Sequence, residues 1–184
     1  CKASVEYHPL YGLSLNITDI DPSYTLGDLA RKKQEVIQRL RKEGIFDMNK
    51  ELPFPLVPQH IAVISSETAA GYGDFMESLQ GNRHGFRFDT MLFPAVMQGD
   101  EAPSSITSAM EKIFESEAEF DCVALVRGGG SKADLESFNH YDLAYFITQF
   151  PLPVITGIGH ERDESVADMV AYLGLKTPTA VAEF

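Results

Sequence analysis

Short apolar segments alternate with amphipathic segments over most of residues 56–184. The apolar segments, such as 61–65 and 122–126, are near-continuous runs, while the segments between them repeat apolar residues every three or four positions. Continuous apolar strands that alternate with amphipathic helices are typical of a parallel sheet covered on both faces. The pattern therefore predicts an α/β fold, with βα repeats building a Rossmann-like, three-layer domain.

The same periodicities predict the individual elements. Strands are expected at 61–65, 86–96, 122–126 and 153–158, and helices at 68–79, 104–117, 139–149 and 163–173. Thr177 and Pro178 are typical of the first residues of a further helix, with threonine as the N-cap. We expect the chain to end inside that helix and to be part of a longer protein.

The first 55 residues follow a different pattern. Residues 3–7 and 11–20 alternate like the strands of a hairpin, and because two strands alone are marginally stable we expect a larger sheet around them. Residues 26–43 predict a helix with one strongly basic face, which is either a solvated surface or a contact for a polyanion. Three prolines between positions 53 and 58 indicate a linker. We therefore place domain boundaries at 1–25, 26–55 and 56–184.

Charge and cysteine content narrow the function classes. The net charge of −12 comes entirely from residues 56–184, which hold seven basic and nineteen acidic residues. Such a surface repels polyanions at long range and by itself favours a small-molecule enzyme. Two cysteines, Cys1 and Cys122, are too few for a disulfide framework and suit a buried, reduced thiol in the cytoplasm. The chain contains no run of about 18 apolar residues, so the sequence predicts no membrane span.

The clearest chemical motif follows the strand predicted at 122–126. It consists of Arg127, three glycines (Gly128, Gly129 and Gly130) and Ser131. Glycines after a strand leave backbone amides free to face an anion, and an adjacent guanidinium can bind a phosphate bidentately. The alternative is an ordinary flexible turn. The glycine spacing also fits a dinucleotide fingerprint, but this motif follows the third strand instead of the first, which argues against NAD.

A second motif, Gly159-His160-Glu161-Arg162-Asp163, follows the strand predicted at 153–158. The carboxyl ends of parallel strands lie at one sheet edge, so His160 and Arg127 are expected in the same crevice. His160 can exchange protons near neutral pH, and Asp163 can orient it from the same helix face. The acidic residues can equally be ordinary residues of a helix N-terminus.

The segment after the first strand of the α/β domain carries weaker signals. Ser66 can cap the following helix, and Asp74 falls on its second turn, where Gly71 and Gly73 leave the approach open. An aspartate at such a position is most often simply exposed. Taken alone, these residues leave the role of Asp74 open.

In its motifs the chain resembles the large-subunit family of bacterial exodeoxyribonuclease VII. The shared motifs are GIFD at 44–47, QGDEA at 98–102, RGGGS at 127–131, DL at 134–135, FN at 138–139, PV at 153–154, GHERD at 159–163 and TPTA at 177–180. They cover nearly the whole chain in the order of the family. The chain departs from the family's common pattern at 65–73, and at 175–176 it lacks an arginine before TPT, which would weaken contact with DNA.

The resemblance implies a nuclease that hydrolyses single-stranded DNA to oligonucleotides from either end, together with several copies of a small subunit. It implies that residues 1–25 are the end of an OB-fold and that 56–184 are the nuclease domain. The catalytic residues would be Asp74, Arg127, His160 and Asp163. The expected phosphate- or DNA-binding residues are Ser66, Gly128, Gly129, Gly130, Ser131, Gly159 and Thr177. The family has no strict need for a metal; a Mg²⁺ held by Asp74 and Asp163 is the alternative route.

Two alternative functions would use the same crevice. One is a small-molecule phosphate-ester or nucleotide-processing enzyme, and the other is a phosphate-binding module without turnover. Tight competition by a mononucleotide would favour the former, and binding without turnover the latter.

Overall fold

The computed structural model describes residues 2–8, 12–19, 22–129, 132–159 and 164–184 of the chain, which divides into two compact units, residues 1–34 and 35–184. In the first unit, strands β1 (Lys2–His8) and β2 (Gly12–Asp19) pair antiparallel, which confirms the predicted hairpin. Helix α1 (Pro22–Lys42) begins in this unit and continues into the second. The assignment of residues 1–25 to an OB-fold, and the boundaries at 25 and 55, stay predictions.

The described part of the second unit contains one sheet of five parallel strands in the order β4–β3–β5–β6–β7, which confirms the predicted α/β fold. Its strands are β3 (His60–Ser65), β4 (Asp89–Pro94), β5 (Cys122–Val126), β6 (Val154–Gly157) and β7 (Leu173–Leu175). Its other helices are α2 (Ala70–Gln80), α3 (Ala102–Glu115), α4 (Tyr141–Gln149), α5 (Val166–Val170) and α6 (Pro178–Glu183). Among the residues described, no helix is long and apolar enough to cross a membrane.

Both faces of the sheet are buried, as the continuous apolar strands require. Alternate residues of β3 and β5, such as Ile64 and Leu125, pack on one side against a core that includes α3, α4 and α5. Val63 and Val126 face the other side, where α2 and α6 contribute. Cys122 is buried and free, and burial raises the pKa of its thiol to about 12, so this cysteine is a packing residue.

Two element predictions need correction, and short elements next to them were not predicted. The helix predicted at 163–173 is wrong in extent: α5 covers only Val166–Val170, and the edge strand β7 follows it. The three residues of β7 are too few to show a period in the sequence. The strand predicted from residue 86 begins at Asp89, and a 3₁₀ helix, Lys132–Asn139, occupies the segment before α4.

The segment between α1 and β3 packs on the sheet domain, and one of its side chains makes four hydrogen bonds to it. Asn49, in the 3₁₀ helix Asn49–Glu51, is completely buried. Its Oδ1 accepts hydrogen bonds from the amides of Val154 and Tyr172, both at 2.9 Å, and its Nδ2 donates to the carbonyls of Phe150 (3.3 Å) and Leu152 (3.0 Å). Asn49 thus ties this segment to β6 and to the ends of α4 and α5.

Candidate active site

Arg127 lies immediately after β5, at the edge of the sheet where the strands end. Its amide donates to the carbonyl of Gly157, the last residue of β6, at 3.1 Å. The side chain is 3% exposed, and its Nη2 pairs with Asp134 Oδ2 at 3.2 Å. A guanidinium this deeply buried needs a charged partner or a bound anion to offset its lost hydration.

One nitrogen of this guanidinium is not satisfied. Arg127 Nε is buried and has no hydrogen-bond partner among the described residues. Burial lowers the pKa of Arg127, and the charge of Asp134 opposes that shift. A buried unpaired donor on this guanidinium indicates a place for a ligand acceptor.

Two glycines bring helix α2 against the end of β5. A Cβ added to Gly71 would lie 2.3 Å from both N and Cα of Gly128, and one added to Gly128 would lie 1.9 Å from N of Gly71. Gly71 is therefore required for close packing, and not for the open approach expected from the sequence. Gly129 follows with φ +55°, in the left-handed region that glycine adopts readily.

Other strand ends meet at the same edge. Ser65 Oγ donates to the carbonyl of Val126 at 2.8 Å and so joins the end of β3 to the end of β5. At the end of β6, a Cβ on Gly157 would lie 3.0 Å from the carbonyl oxygen of Thr177, so the start of α6 closely approaches this strand. The sheet edge thus brings together segments that are far apart in sequence, as expected for a parallel sheet.

A cleft of about 660 Å³ opens at this edge. Arg127 and Gly128 line it on one side, the segment after β3 (Ser66 to Ala69) on another, and the segment from Pro94 to Gln98 on a third. The last segment is mostly apolar, and it is fixed where the Val96 amide donates to Ser105 Oγ at 2.8 Å. The cleft therefore combines one buried cation with an apolar wall.

The predicted site residues have different outcomes. Asp74 is exposed on the second turn of α2, as expected, and makes no hydrogen bond or ion pair with the described residues. The capping role of Ser66 is wrong, because Ala69 is the N-cap of α2, whereas Thr177 does cap α6, with Oγ1 accepting from the Ala180 amide at 3.1 Å. Gly159 is half-buried, two residues beyond β6. Gly130, Ser131, His160 and Asp163 lie outside the described residues, so their roles stay predictions.

Asp134 is a site residue that sequence reasoning did not single out. It carries the carboxylate that faces Arg127, seven residues further along the chain. The only sequence signal was its place in the DL pair that follows the glycines. In the described ranges, no group of three or more His, Cys, Asp or Glu side chains could hold a metal ion, and Asp163, one half of the predicted Mg²⁺ pair, falls outside those ranges.

Comparison with known proteins decides the family. Residues 45–184 match the family described as exonuclease VII, large subunit. The chain belongs to this family. It is 42% identical over 85% of its length to the exodeoxyribonuclease 7 large subunit of Cyanothece sp. (strain PCC 7425), and 37% identical over 98% of its length to that of Deinococcus radiodurans. It is 39% identical over 86% of its length to the same subunit of Nostoc sp. (strain PCC 7120).

The match confirms the resemblance inferred from the motifs. The matched range includes both predicted site motifs, 127–131 and 159–163. The chain spans less than half the length of these relatives, namely 36%, 44% and 38% of the three proteins in turn. The matched range, residues 45–184, includes every residue that lines the cleft beside Arg127.

Proposed function

We propose that this chain carries the centre that hydrolyses phosphodiester bonds of single-stranded DNA in an exodeoxyribonuclease VII. The observation that carries the proposal is the guanidinium of Arg127: it is buried, lines the cleft beside Gly128, and has an Nε donor without a partner among the described residues. A scissile phosphate would supply the missing acceptor. Charge-assisted hydrogen bonds from a guanidinium to phosphate oxygens are among the strongest in proteins.

In the proposed reaction, a water oxygen attacks phosphorus and the bond from phosphorus to the leaving sugar oxygen breaks. Arg127 and the amides of Gly128 to Gly130 would stabilise the negative charge that grows on the phosphoryl oxygens. His160 would take the proton of the water or give one to the leaving oxygen, with Asp163 orienting it. Asp74 would activate the water or position His160. A Mg²⁺ held by Asp74 and Asp163 is the alternative, and it would supply charge stabilisation and an activated water.

The large negative charge of the domain bears on how DNA is held. The net charge of −12 disfavours long-range attraction of a polyanion, so Arg127 has to act locally inside the cleft. We propose that an OB-fold, of which residues 1–25 would be the end, supplies base stacking and positive charge for the single strand. We also propose that several copies of a small subunit complete the active complex, in the cytoplasm. Residues 1–184 alone should then be weakly active or inactive.

The test uses the full-length large subunit with its small subunit and single-stranded DNA labelled at either end. Arg127→Lys keeps the charge but loses the forked donors, and we expect kcat to fall by about 10²–10³. For His160→Ala we expect kcat to fall at least as far. Arg83 is an exposed arginine three residues beyond the end of α2, away from the cleft, so Arg83→Lys is the matched control and should keep wild-type activity.

The outcomes separate the alternatives. Wild-type rates for His160→Ala would remove the general acid–base role, and wild-type rates for Arg127→Lys would remove the phosphate role. Activity that survives EDTA would favour the histidine route, whereas loss of activity in EDTA would favour a metal at the two aspartates. Tight DNA binding without any turnover by the wild-type complex would contradict the enzymatic function itself.

A further inference from the structure

Asn139 joins the segment that follows Arg127 to the segment that follows Gly159. It is the last residue of the 3₁₀ helix that starts at Lys132, and it is half-buried. Its Oδ1 accepts a hydrogen bond of 2.9 Å from the amide of Val166, the first residue of α5. This contact spans 27 residues of sequence and joins the helix that follows Arg127 to the helix that follows His160 and Asp163 in the chain.

On the arginine side, Asn139 belongs to a short rigid unit. The 3₁₀ helix carries Asp134, the ion-pair partner of Arg127, and Phe138, which is fully buried with its ring centre 5.9 Å from the Arg127 guanidinium carbon. Asn139 Nδ2 donates to Glu136 Oε2 at 3.2 Å, which leaves Oδ1 directed at Val166. The position of Arg127 and the position of Asn139 are thus set by the same eight-residue helix.

On the other side, the residues next to Val166 form a buried polar cluster. Asp168 is 5% exposed; its Oδ2 accepts from the amide and Oγ of Ser165 at 2.9 and 2.7 Å, and its Oδ1 accepts from Thr156 Oγ1 at 2.5 Å. Thr156 lies in β6, before residues 158–164, and Ser165 lies directly after them. The cluster therefore joins β6 to the start of α5, and Asn139 fixes the start of α5 relative to the helix that carries Asp134.

We propose that Asn139 is a positioning residue: it fixes the start of α5, the helix that follows the proposed catalytic residues His160 and Asp163 in the chain, relative to Arg127. This inference rests on the proposed function, because Asn139 can affect the rate only through the proposed catalytic roles of Arg127 and His160. An error of about 1 Å in the placement of catalytic groups can reduce rates on the order of 10²-fold. The alternative is that Asn139 only contributes to stability, like any half-buried asparagine with two hydrogen bonds.

The kinetic test compares kcat and KM for single-stranded DNA in the complete complex. For Asn139→Ala we expect kcat to fall about 10- to 100-fold while KM changes less than about threefold, since the DNA-binding residues remain in place. The double variant N139D/E136Q exchanges the donor and acceptor of the Asn139–Glu136 pair and keeps an acceptor for Val166. It should recover most of the lost kcat, whereas N139D alone places two carboxylates together and should not.

Asn82→Ala is the control for a purely structural effect. Asn82 also joins neighbouring segments through side-chain hydrogen bonds, here to backbone groups of Leu79, His84 and Phe86, but it lies just beyond the end of α2, near the edge where the strands begin. It should lose stability without a selective loss of kcat. An equal loss of kcat in N82A and N139A, or an unchanged kcat in N139A, would overturn the proposal.

Hydrogen exchange of the full-length protein gives a readout that does not depend on activity. In Asn139→Ala the peptide containing Val166 should exchange faster, and N139D/E136Q should restore its protection. If the wild-type complex shows no hydrolysis, the proposed function fails. The exchange result then decides by itself whether the Asn139–Val166 hydrogen bond, the link, holds the start of α5 in place. If the wild type is active and exchange at Val166 is unaltered in N139A, the link fails and the proposed function stands.

Discussion

Gly71 and Gly128 pack backbone against backbone, with no room for a side chain on either residue. The φ angle of neither lies in the left-handed region, so both positions need glycine for space and not for conformation. Asp74 follows Gly71 by three residues on α2, roughly 4.5 Å along the helix axis, and Gly128 follows Arg127 directly. This contact therefore fixes one predicted catalytic residue relative to another across 53 residues of chain.

Alanine at either glycine should separate α2 from the end of β5. We expect Gly71→Ala and Gly128→Ala each to lower the free energy of unfolding by about 1–3 kcal/mol, because the added methyl group meets backbone atoms that cannot rotate away. Urea unfolding measures this loss, and cleavage by the full complex should fall with it.

The matched control lies two residues away in the same helix. Gly73 has no atom within 4 Å of an added Cβ, so Gly73→Ala should raise the stability by about 0.5–1 kcal/mol through the helix propensity of alanine. Equal stability of the Gly71 and Gly73 variants would show that the close contact carries no energetic weight.

The main sheet could be predicted because its strands are fully buried. The apolar runs at β3, β5 and β6 have no polar face for solvent, so both faces of their sheet have to be covered by helices. The edge strand β7 could not be predicted, because Leu173–Leu175 is only half-buried and three residues show no period. The extent of α5 was missed for a different reason: the Ser165–Asp168 capping box, a local motif, marks its start, and the chain becomes extended at Ala171, just before β7.

Anion binding at Arg127 can be tested without DNA. We expect inorganic phosphate to raise the melting temperature of the 184-residue chain by supplying an acceptor for the unpaired Nε. At a concentration 100 times Kd, binding adds about 2.7 kcal/mol to the free energy of unfolding. In Arg127→Lys most of that rise should disappear, because a single ammonium cannot reproduce the fork.

Phosphate also stabilises proteins without binding to a site, so the variant comparison carries the result. Arg83→Lys should keep the full wild-type rise. A rise of the same size in Arg127→Lys as in the wild type would mean that phosphate does not bind at this guanidinium.

Asp121 should make the stability of the domain depend on pH. Its Oδ2 accepts hydrogen bonds from the amides of His60 (2.8 Å) and Gln59 (2.7 Å), and these bonds, that of His60 first, hold its pKa below the usual value. A lowered pKa means that the stabilisation is complete above the unfolded-state pKa of about 3.9 and is lost as pH falls through the folded-state value.

Asp121→Asn keeps an oxygen acceptor and removes the charge. Because the carboxylate is 35% exposed, solvent screening should limit its contribution to less than about 1 kcal/mol at pH 7. Urea unfolding from pH 6 to pH 3 should show the wild type and the variant converging as the pH falls. A constant difference across that range would mean that the charge of Asp121 does not stabilise the start of β3.

The polar contacts of the site could not be predicted from the sequence, and the reason is the same for each of them. The periodicity of the chain reports which face of an element is buried, but it does not report which side chain satisfies which backbone group. Arg127 could be found because it stands beside three glycines. The contacts of Asn49 and Asn139 could not be predicted, because the partners of Asn49 lie 101 to 123 residues away and Val166 lies 27 residues from Asn139. Asn139 stood out only as part of the FN pair, which does not indicate its partner.

Asn49 should be among the most sensitive polar positions of the domain. It satisfies two backbone donors and two backbone acceptors, and each buried group left unpaired costs about 1–3 kcal/mol. We expect Asn49→Ala to lower the free energy of unfolding by about 3–5 kcal/mol, measured by urea unfolding. Asn49→Asp should also be destabilising, because a carboxylate cannot donate to the carbonyls of Phe150 and Leu152.

The neighbouring residue supplies the control. Lys50 pairs with Asp47 in an exposed salt bridge of 3.0 Å, and Lys50→Ala should change the stability by less than about 1 kcal/mol. If Asn49→Ala were equally mild, residues 45–51 would not be anchored to the sheet domain through this side chain. A large loss would instead mean that Asn49 anchors residues 45–51 to β6.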